Sequence, residues 1–355
     1  MQIKVGDPSG QTLIFGVLFL VCLILTARKL KNIPFFSSEL TRELKGFAIL
    51  AIIFSHIGYF LSADHRFLYP FSILAGVGVN LFLFWSGFGL ASSALRSDTS
   101  VLEFYKKRLK RLFIPLWFVL TSLFLADLLF LNRAYPFYEI IQSYLGFYPK
   151  ADIWQSLNSP LWYFSLIFFY YLIFPLTFWR KFPYLCPVVI LALSYFVMNL
   201  PLSLNPGVLS LYKIHSLSFP LGLMFALLTP DLSKLSQKTY LKFFLLTVFL
   251  ITAAYTSINS GVGLDKNTEQ TISLITMFSI IFVFMLKNVE FRLFTYFGSF
   301  SYIIYLIHWP ILSRYDIFYK YLPASLATML YLGLFLAIGY VFAKIESFFS
   351  NLHNR

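Results

Sequence analysis

Lys45 and His56 are two ionisable residues in a largely apolar segment, residues 40–61, and ten residues lie between them. At about 100° per residue, eleven steps make roughly three helical turns, so a single helix would carry both side chains on one face, about 16 Å apart along its axis. His accepts and donates protons near neutral pH, and ionisable residues inside membrane helices are often functional. The spacing therefore makes His56 a candidate general base with a basic residue at the helix mouth. The alternative is a buried His that is hydrogen-bonded to a neighbouring helix.

A basic cluster, residues 104–111, opens another apolar segment and reads FYKKRLKR. Arg108 and Arg111 are three residues apart, so on a helix they are neighbours and can bind one anion together. Guanidinium groups match phosphate oxygens in a bidentate way that a single Lys does not provide. The cluster therefore predicts a phosphate-binding site. Two alternatives remain open: an anchor that fixes the membrane topology and a contact with lipid headgroups.

His308 is a second His within an apolar segment, residues 301–312. Pro310 follows it closely, and a proline within a helix predicts a break or kink that frees backbone carbonyls. A kink beside an intramembrane His is typical of a cavity wall. The alternative is a His that caps the freed carbonyls.

Three other residues stand out by their position. Trp162 and Tyr163 follow Pro160 at a predicted outer boundary, where an interfacial aromatic belt is one explanation. Asp127 is the one acid well inside a predicted span, so it either reaches the interface or orients a His. Gly87, in the run Phe84–Phe88, lacks the spacing of a nucleophile elbow and predicts close packing of helices instead.

The composition excludes an ordinary soluble protein. The chain has 355 residues, of which 59% are hydrophobic and 12% are charged, whereas soluble domains carry about 25% charged residues. Apolar runs of about 20 residues recur from end to end, which predicts an all-α polytopic membrane protein. The net charge of +13 is better explained by membrane topology than by nucleic acid, because the basic residues cluster in alternate loops. The two cysteines, Cys22 and Cys186, lie in apolar runs, and no Cys/His spacing predicts a metal site.

The apolar runs predict about eleven transmembrane helices. If the N-terminus lies outside and the C-terminus lies in the cytoplasm, 20 basic residues fall on the inside and 8 on the outside. This split follows the positive-inside rule and favours the N-out/C-in orientation. The predicted spans are 11–27, 44–62, 71–95, 112–131, 160–179, 184–200, 208–228, 240–257, 270–287, 298–318 and 323–343.

Five segments, in order along the chain, resemble the signatures of the membrane acyltransferase-3 family, the integral-membrane O-acyltransferases of bacterial surface glycans. The basic-x10-His signature of the family matches Lys45 and His56, and its R-x-x-R signature matches Arg108 and Arg111. Its glycine- and phenylalanine-rich third span, its L-W-[FY] span start and its S-Y-x-x-Y-L-x-H-x-P signature resemble residues 76–93, 161–164 and 301–310.

The resemblance covers most of the chain and implies a ten-helix core. The first span is then an extra N-terminal helix, so we expect residues 1–39 to form this helix and a basic cytoplasmic linker. Residues 40–355 would form the acyltransferase-3-like membrane domain, without an appended esterase-like domain. One position departs from the family pattern, because Arg42 stands where an acid is usual. Glu39 and Glu43 are the nearby acids that can substitute for it.

The resemblance also implies an activity and a location. The expected donor is acyl-CoA, most often acetyl-CoA. The expected acceptor is a hydroxyl of a cell-envelope glycan or lipid-linked glycan, such as lipopolysaccharide O-antigen or exopolysaccharide. The expected location is the bacterial inner (plasma) membrane, with membrane lipid around the spans and with neither metal nor nucleic acid as a partner. Two alternatives are a transporter or flippase for lipid-linked glycans and a non-catalytic membrane subunit, neither of which consumes acyl-CoA.

The implied roles agree with the chemistry of the residues. CoA is a polyanion, so basic residues would bind its phosphates: Lys45, Arg108 and Arg111. His56 would act as general base on the acceptor hydroxyl, which attacks the thioester carbonyl directly; a covalent acyl-His or acyl-Ser relay is the alternative. The remaining candidates would shape a tunnel or polarise the carbonyl: His308, Trp162 and Tyr163.

Overall fold

Helices account for nearly all of the regular structure in the computed structural model, which describes residues 3–29, 37–62, 64–150, 157–232, 239–260 and 266–353. The helices are α1 (Pro8–Leu25), α2 (Ser38–Tyr59), α3 (Ala75–Arg96), α4 (Val101–Leu131), α5 (Phe137–Tyr144), α6 (Trp162–Thr177), α7 (Leu185–Met198), α8 (Pro206–His215), α9 (Ser218–Leu232), α10 (Thr239–Asn259), α11 (Lys266–Leu286), α12 (Arg292–Ser299), α13 (Ser301–Arg314) and α14 (Ala324–His353). Two three-residue strands, β1 (Ala27–Lys29) and β2 (Val289–Phe291), form the antiparallel sheet of the described residues.

Eight helical stretches within the described ranges are long and apolar enough to cross a membrane: α1, α3, α4, α6, the α8–α9 pair, α10, α11 and α14. α7 is apolar but shorter. Thr256 is the one buried residue of α10, and this exposure suits a helix that is surrounded by lipid and not by water. These helices confirm the predicted all-α polytopic membrane protein.

Two predicted spans are interrupted in the structure. The span predicted at 208–228 consists of α8 and α9, and its helix breaks at residues 216–217. The span predicted at 298–318 begins within α12, and α13 follows after Phe300. Hydropathy measures only how apolar a segment is, so it does not detect a break where both flanking helices stay apolar.

The chain forms two compact units, and the first contains residues 1–82 and 233–355. Within it, α2 and α12 pack at backbone contact. A Cβ atom at Gly46 would lie 1.8 Å from the Phe294 carbonyl oxygen, and one at Gly298 would lie 1.7 Å from the Arg42 carbonyl oxygen. Only glycine allows this approach, which fixes the start of α2 beside the helix that precedes α13.

α1 is attached to this first unit at both of its ends. Ile3 exchanges backbone hydrogen bonds with Phe60 and Ser62, and the Gln11 side chain accepts hydrogen bonds from Ser325. After the helix, β1 pairs with β2, and Arg28 forms an ion pair with Glu290. The extra helix is therefore held by polar contacts at its ends, although most of its surface is exposed.

The second unit contains residues 83–232. The C-terminal part of α3 packs closely on α9, because a Cβ atom at Gly87 would lie 2.3 Å from the Phe219 carbonyl oxygen and one at Gly222 would lie 2.0 Å from that of Phe84. The prediction that Gly87 serves close helix packing is therefore confirmed. Tyr170 of α6 stacks on Phe219 with ring centroids 4.4 Å apart, which adds an aromatic contact to the same interface.

Candidate active site

The first unit places His56 and His308 in direct contact. Nδ1 of His56 lies 2.7 Å from Nε2 of His308, and the two ring planes differ by 6°. His308 is fully buried and His56 is partly buried. A hydrogen bond of this length between two imidazoles requires one ring to donate and the other to accept.

Backbone carbonyls decide which ring donates. Nδ1 of His308 lies 3.0 Å from the Ile304 oxygen and 2.9 Å from the Tyr305 oxygen. Carbonyl oxygens only accept, so this nitrogen carries the proton and Nε2 of neutral His308 is an acceptor. His56 must then donate through Nδ1, and its lone pair lies on Nε2. In the described part of the chain Nε2 makes no hydrogen bond, so it is available to accept a proton.

Aromatic side chains hold the His56 ring in this orientation. The indole of Trp309 meets the imidazole edge-on, with centroids 4.8 Å apart, and Tyr59 lies 5.7 Å away on the same helix as His56. Trp309 also packs against Phe60. Large rings on two sides limit the rotamers of His56.

α13 does not end at its proline. The helix continues from Ser301 through Pro310 to Arg314, so the predicted break does not occur. His308 contacts the Ile304 and Tyr305 carbonyls, whose helical N–H donors belong to residues 308 and 309 and not to Pro310. This contact is therefore not the predicted cap of carbonyls that the proline frees. The same ring also binds His56.

Lys45 and His56 lie on one continuous helix, as their spacing predicted. α2 begins after Ser37, whose hydroxyl accepts the Leu40 N–H, and it continues to Tyr59. Lys45 is partly buried and lies next to Gly46, at the contact with α12.

The acids near Lys45 have partners of their own. Glu39 pairs with the exposed Arg42, the residue that stands where the family usually has an acid. Glu43 is buried, lies 2.6 Å from Nζ of Lys287 and accepts the Phe291 N–H at 2.7 Å. Glu43 therefore joins α2 to the segment that follows α11.

Arg108 and Arg111 belong to the second unit and have different surroundings. α4 begins at a capping box formed by Ser100 and Glu103, and it starts about three turns before the predicted span, so both arginines are helical. Arg108 lines a cavity of about 150 Å³, whereas Arg111 is exposed and is absent from the described lining of that cavity. The polar residues of the lining are Ser93, Ser97, Asp98, Thr99, Arg108 and Arg180.

Trp162 and Tyr163 lie at the start of α6, also in the second unit. Trp162 is buried and stacks on His215 with ring centroids 5.7 Å apart, and Tyr163 is partly buried. An exposed interfacial belt does not describe a buried indole. The sequence analysis missed His215, although an ionisable residue in an apolar span was the signal that identified His56.

Asp127 also lies inside the protein and not at its surface. It is buried in α4 and accepts a hydrogen bond from the Tyr135 hydroxyl. The residue that orients His56 is a second His.

The apolar helices and the hydrogen-bonded pair of histidines define a polytopic membrane protein with a candidate site for proton transfer. The chain belongs to the acyltransferase 3 family, since the model of that family, described as an acyltransferase domain, matches residues 44–344. The matched region contains every residue of the basic-x10-His and R-x-x-R signatures, and α1 and β1 lie before it. Searches of curated proteins and of solved structures gave no match. The protein is therefore a membrane acyltransferase.

Proposed function

We propose that this protein is an acyl-CoA-dependent O-acyltransferase. It moves an acyl group, with acetyl as the first choice, from cytoplasmic acyl-CoA to a hydroxyl of a cell-envelope glycan such as O-antigen or exopolysaccharide. It works in the bacterial inner membrane. The observation that carries the proposal is the contact between His56 and His308, because it leaves Nε2 of His56 as a proton acceptor in a site that aromatic rings surround.

His56 performs the proton transfer. Nε2 takes the proton of the acceptor hydroxyl while the hydroxyl oxygen forms a bond to the thioester carbonyl carbon. The carbon–sulfur bond breaks, and Nε2 of His56 gives this proton to the leaving thiolate of CoA, which restores the neutral imidazole. Within the protein, His308 is a positioning residue. Its Nε2 accepts from Nδ1–H of His56, and this hydrogen bond becomes charge-assisted once His56 is protonated.

The donor supplies the acyl group, and basic side chains would bind its phosphates. Arg108 lines a cavity that serine and threonine residues also line, and these residue types suit a phosphate oxygen. Lys45 and Arg111 are the other two basic residues of the family signatures, and we assign them to the same donor. In the second unit, the buried Trp162 and the partly buried Tyr163 are assigned to substrate positioning.

The test compares surface polysaccharide from cells that carry the intact gene, a deletion, His56→Ala or His65→Ala. His65 is an exposed loop residue and serves as the matched control. Mass spectrometry should show the loss of an acetyl-sized mass in the deletion and in His56→Ala, with the His56→Ala protein still present in the membrane.

Three other outcomes would count against the proposal. Loss of the glycan from the surface would favour a flippase or a non-catalytic subunit. An unchanged glycan would exclude a glycan acceptor. A purified protein that releases no free thiol from acetyl-CoA would exclude that donor.

A further inference from the structure

A second arginine lines the cavity that contains Arg108, and it belongs to none of the family signatures found in the sequence. Arg180 follows α6 and approaches the end of α3. Its Nη2 donates to the carbonyl oxygens of Ala94, at 3.3 Å, and Leu95, at 3.0 Å, and its Nη1 lies 2.7 Å from a carboxylate oxygen of Asp98. Three segments of the second unit therefore meet at this cavity: the end of α3, the start of α4 and the end of α6.

The ion pair between Arg180 and Asp98 is accessible to an anion. The side chain of Arg180 is 45% exposed and that of Asp98 is 86% exposed. An ion pair with this exposure is weak, so a phosphate, which has more charge and more acceptor oxygens than a carboxylate, can displace Asp98. Asp98 lies in the segment between α3 and α4, outside both helices.

The size and chemistry of the cavity suit one end of a larger anion. Its volume of about 150 Å³ is well below the ~300 Å³ at which pockets for drug-sized ligands begin, so it can take a phosphate group but not a whole coenzyme. Hydroxyl donors from Ser93, Ser97 and Thr99 line the same space. Residues 96–111 and 180–181 both fall on the predicted cytoplasmic side, where acyl-CoA is available.

We propose that Arg108 and Arg180 together bind a phosphate group of acyl-CoA, and that Asp98 competes with this phosphate for Arg180. The inference rests on the proposed donor. It adds a second cation to the donor site and a built-in competitor that weakens donor binding, which favours release of the product CoA.

The experiment measures binding of coenzyme A to the purified full-length protein in lipid nanodiscs by calorimetry. Arg180→Gln should weaken binding about tenfold, since a hydrogen-bonded charged group is lost. Asp98→Asn should tighten binding about threefold, since a competing anion is lost. Lys181→Gln is the matched control: Lys181 is the neighbouring cation, lies over the Phe182 ring and is absent from the described cavity lining, so binding should not change.

Asp98→Asn keeps the test independent of folding, because a damaged fold does not bind more tightly. Arg180→Gln also removes the contacts to the end of α3, so a loss of affinity in this variant alone could come from a local change of structure. The proposal therefore requires both the weaker binding of Arg180→Gln and the tighter binding of Asp98→Asn. If Arg108→Gln loses affinity while Arg180→Gln and Asp98→Asn bind like the unaltered protein, Arg180 is only a helix cap, and the inference is overturned while the proposed function stands. If the unaltered protein binds no coenzyme A, both are overturned.

Discussion

Nε2 of His308 lies within hydrogen-bonding distance of Nδ1 of His56, although 252 residues separate the two histidines along the chain. His308 is held by carbonyls of its own helix, and His56 is held by His308. This order gives each imidazole a defined tautomer, so the proton-accepting nitrogen is fixed by the fold and does not depend on a nearby acid.

Removing His56 should abolish transfer without removing the donor site. His56→Ala deletes the general base, so we expect the rate of acyl transfer to fall by at least about 10²-fold. Binding of coenzyme A should persist, because the phosphates are assigned to other residues. The rate is measured as thiol release from acetyl-CoA in the presence of glycan acceptor. Normal turnover in a folded His56→Ala protein would exclude the role of base, and His65→Ala serves as the control.

Replacing His308 separates positioning from packing. His308→Ala removes the acceptor for Nδ1–H of His56, so we expect a fall of about 10–100-fold in kcat with little change in the KM for acyl-CoA. His308→Gln retains an oxygen acceptor and an N–H donor, and it should recover part of the loss. Equal activities of the two variants would mean that the ring serves only packing.

The pH dependence of the rate tests the protonation state of the pair. A general base must be unprotonated, so the rate should be constant at high pH and fall about tenfold per unit once a proton binds the pair. The measurement is kcat/KM across about pH 4 to 8. Coenzyme A binding over the same range is the control. A rate that rises as the pH falls would contradict the assignment of an imidazole base.

Arg108 and Arg111 should differ in their effect on the donor. Arg108 lines the cavity and Arg111 is exposed, so Arg108→Ala should raise the KM for acyl-CoA about tenfold and Arg111→Ala should raise it less. Initial-rate kinetics at varied acetyl-CoA measure both. Unchanged constants in both variants would indicate that the cluster only anchors the membrane topology.

The contact between α2 and α12 predicts a large effect on stability. Gly46→Ala would place a methyl group within 1.8 Å of a backbone oxygen, so the helices must separate at a cost of about 2–3 kcal/mol. Gly333→Ala in α14 is the matched control, because a Cβ atom there has no other atom within 4 Å. Thermal unfolding in detergent should show a lower midpoint for the first variant alone. Equal midpoints would mean that α12 moves aside without cost.

Local sequence predicted the parts of the site that one helix contains. Lys45 and His56 share a face because the helical period fixes their relation, and the apolar runs predicted where helices lie. The signatures also led to the family that the match over residues 44–344 confirms.

Contacts between distant segments were not predictable in this way. The pairing of His56 with His308, the stacking of Trp162 on His215 and the cavity shared by Arg108 and Arg180 all join residues from separate helices. The periodicity of one segment gives the relative positions of residues within that helix, but not their distances from residues of another helix. Pro310 misled for a related reason, because surrounding helices can support a proline inside a membrane helix.

The strand pair β1–β2 has a consequence for biosynthesis. Lys29 leaves the ribosome 260 residues before its partner Val289. The same later segment supplies the Phe291 N–H that Glu43 accepts. α1 must therefore wait in the bilayer, with β1 unpaired and Glu43 without this donor, until that later segment has been translated.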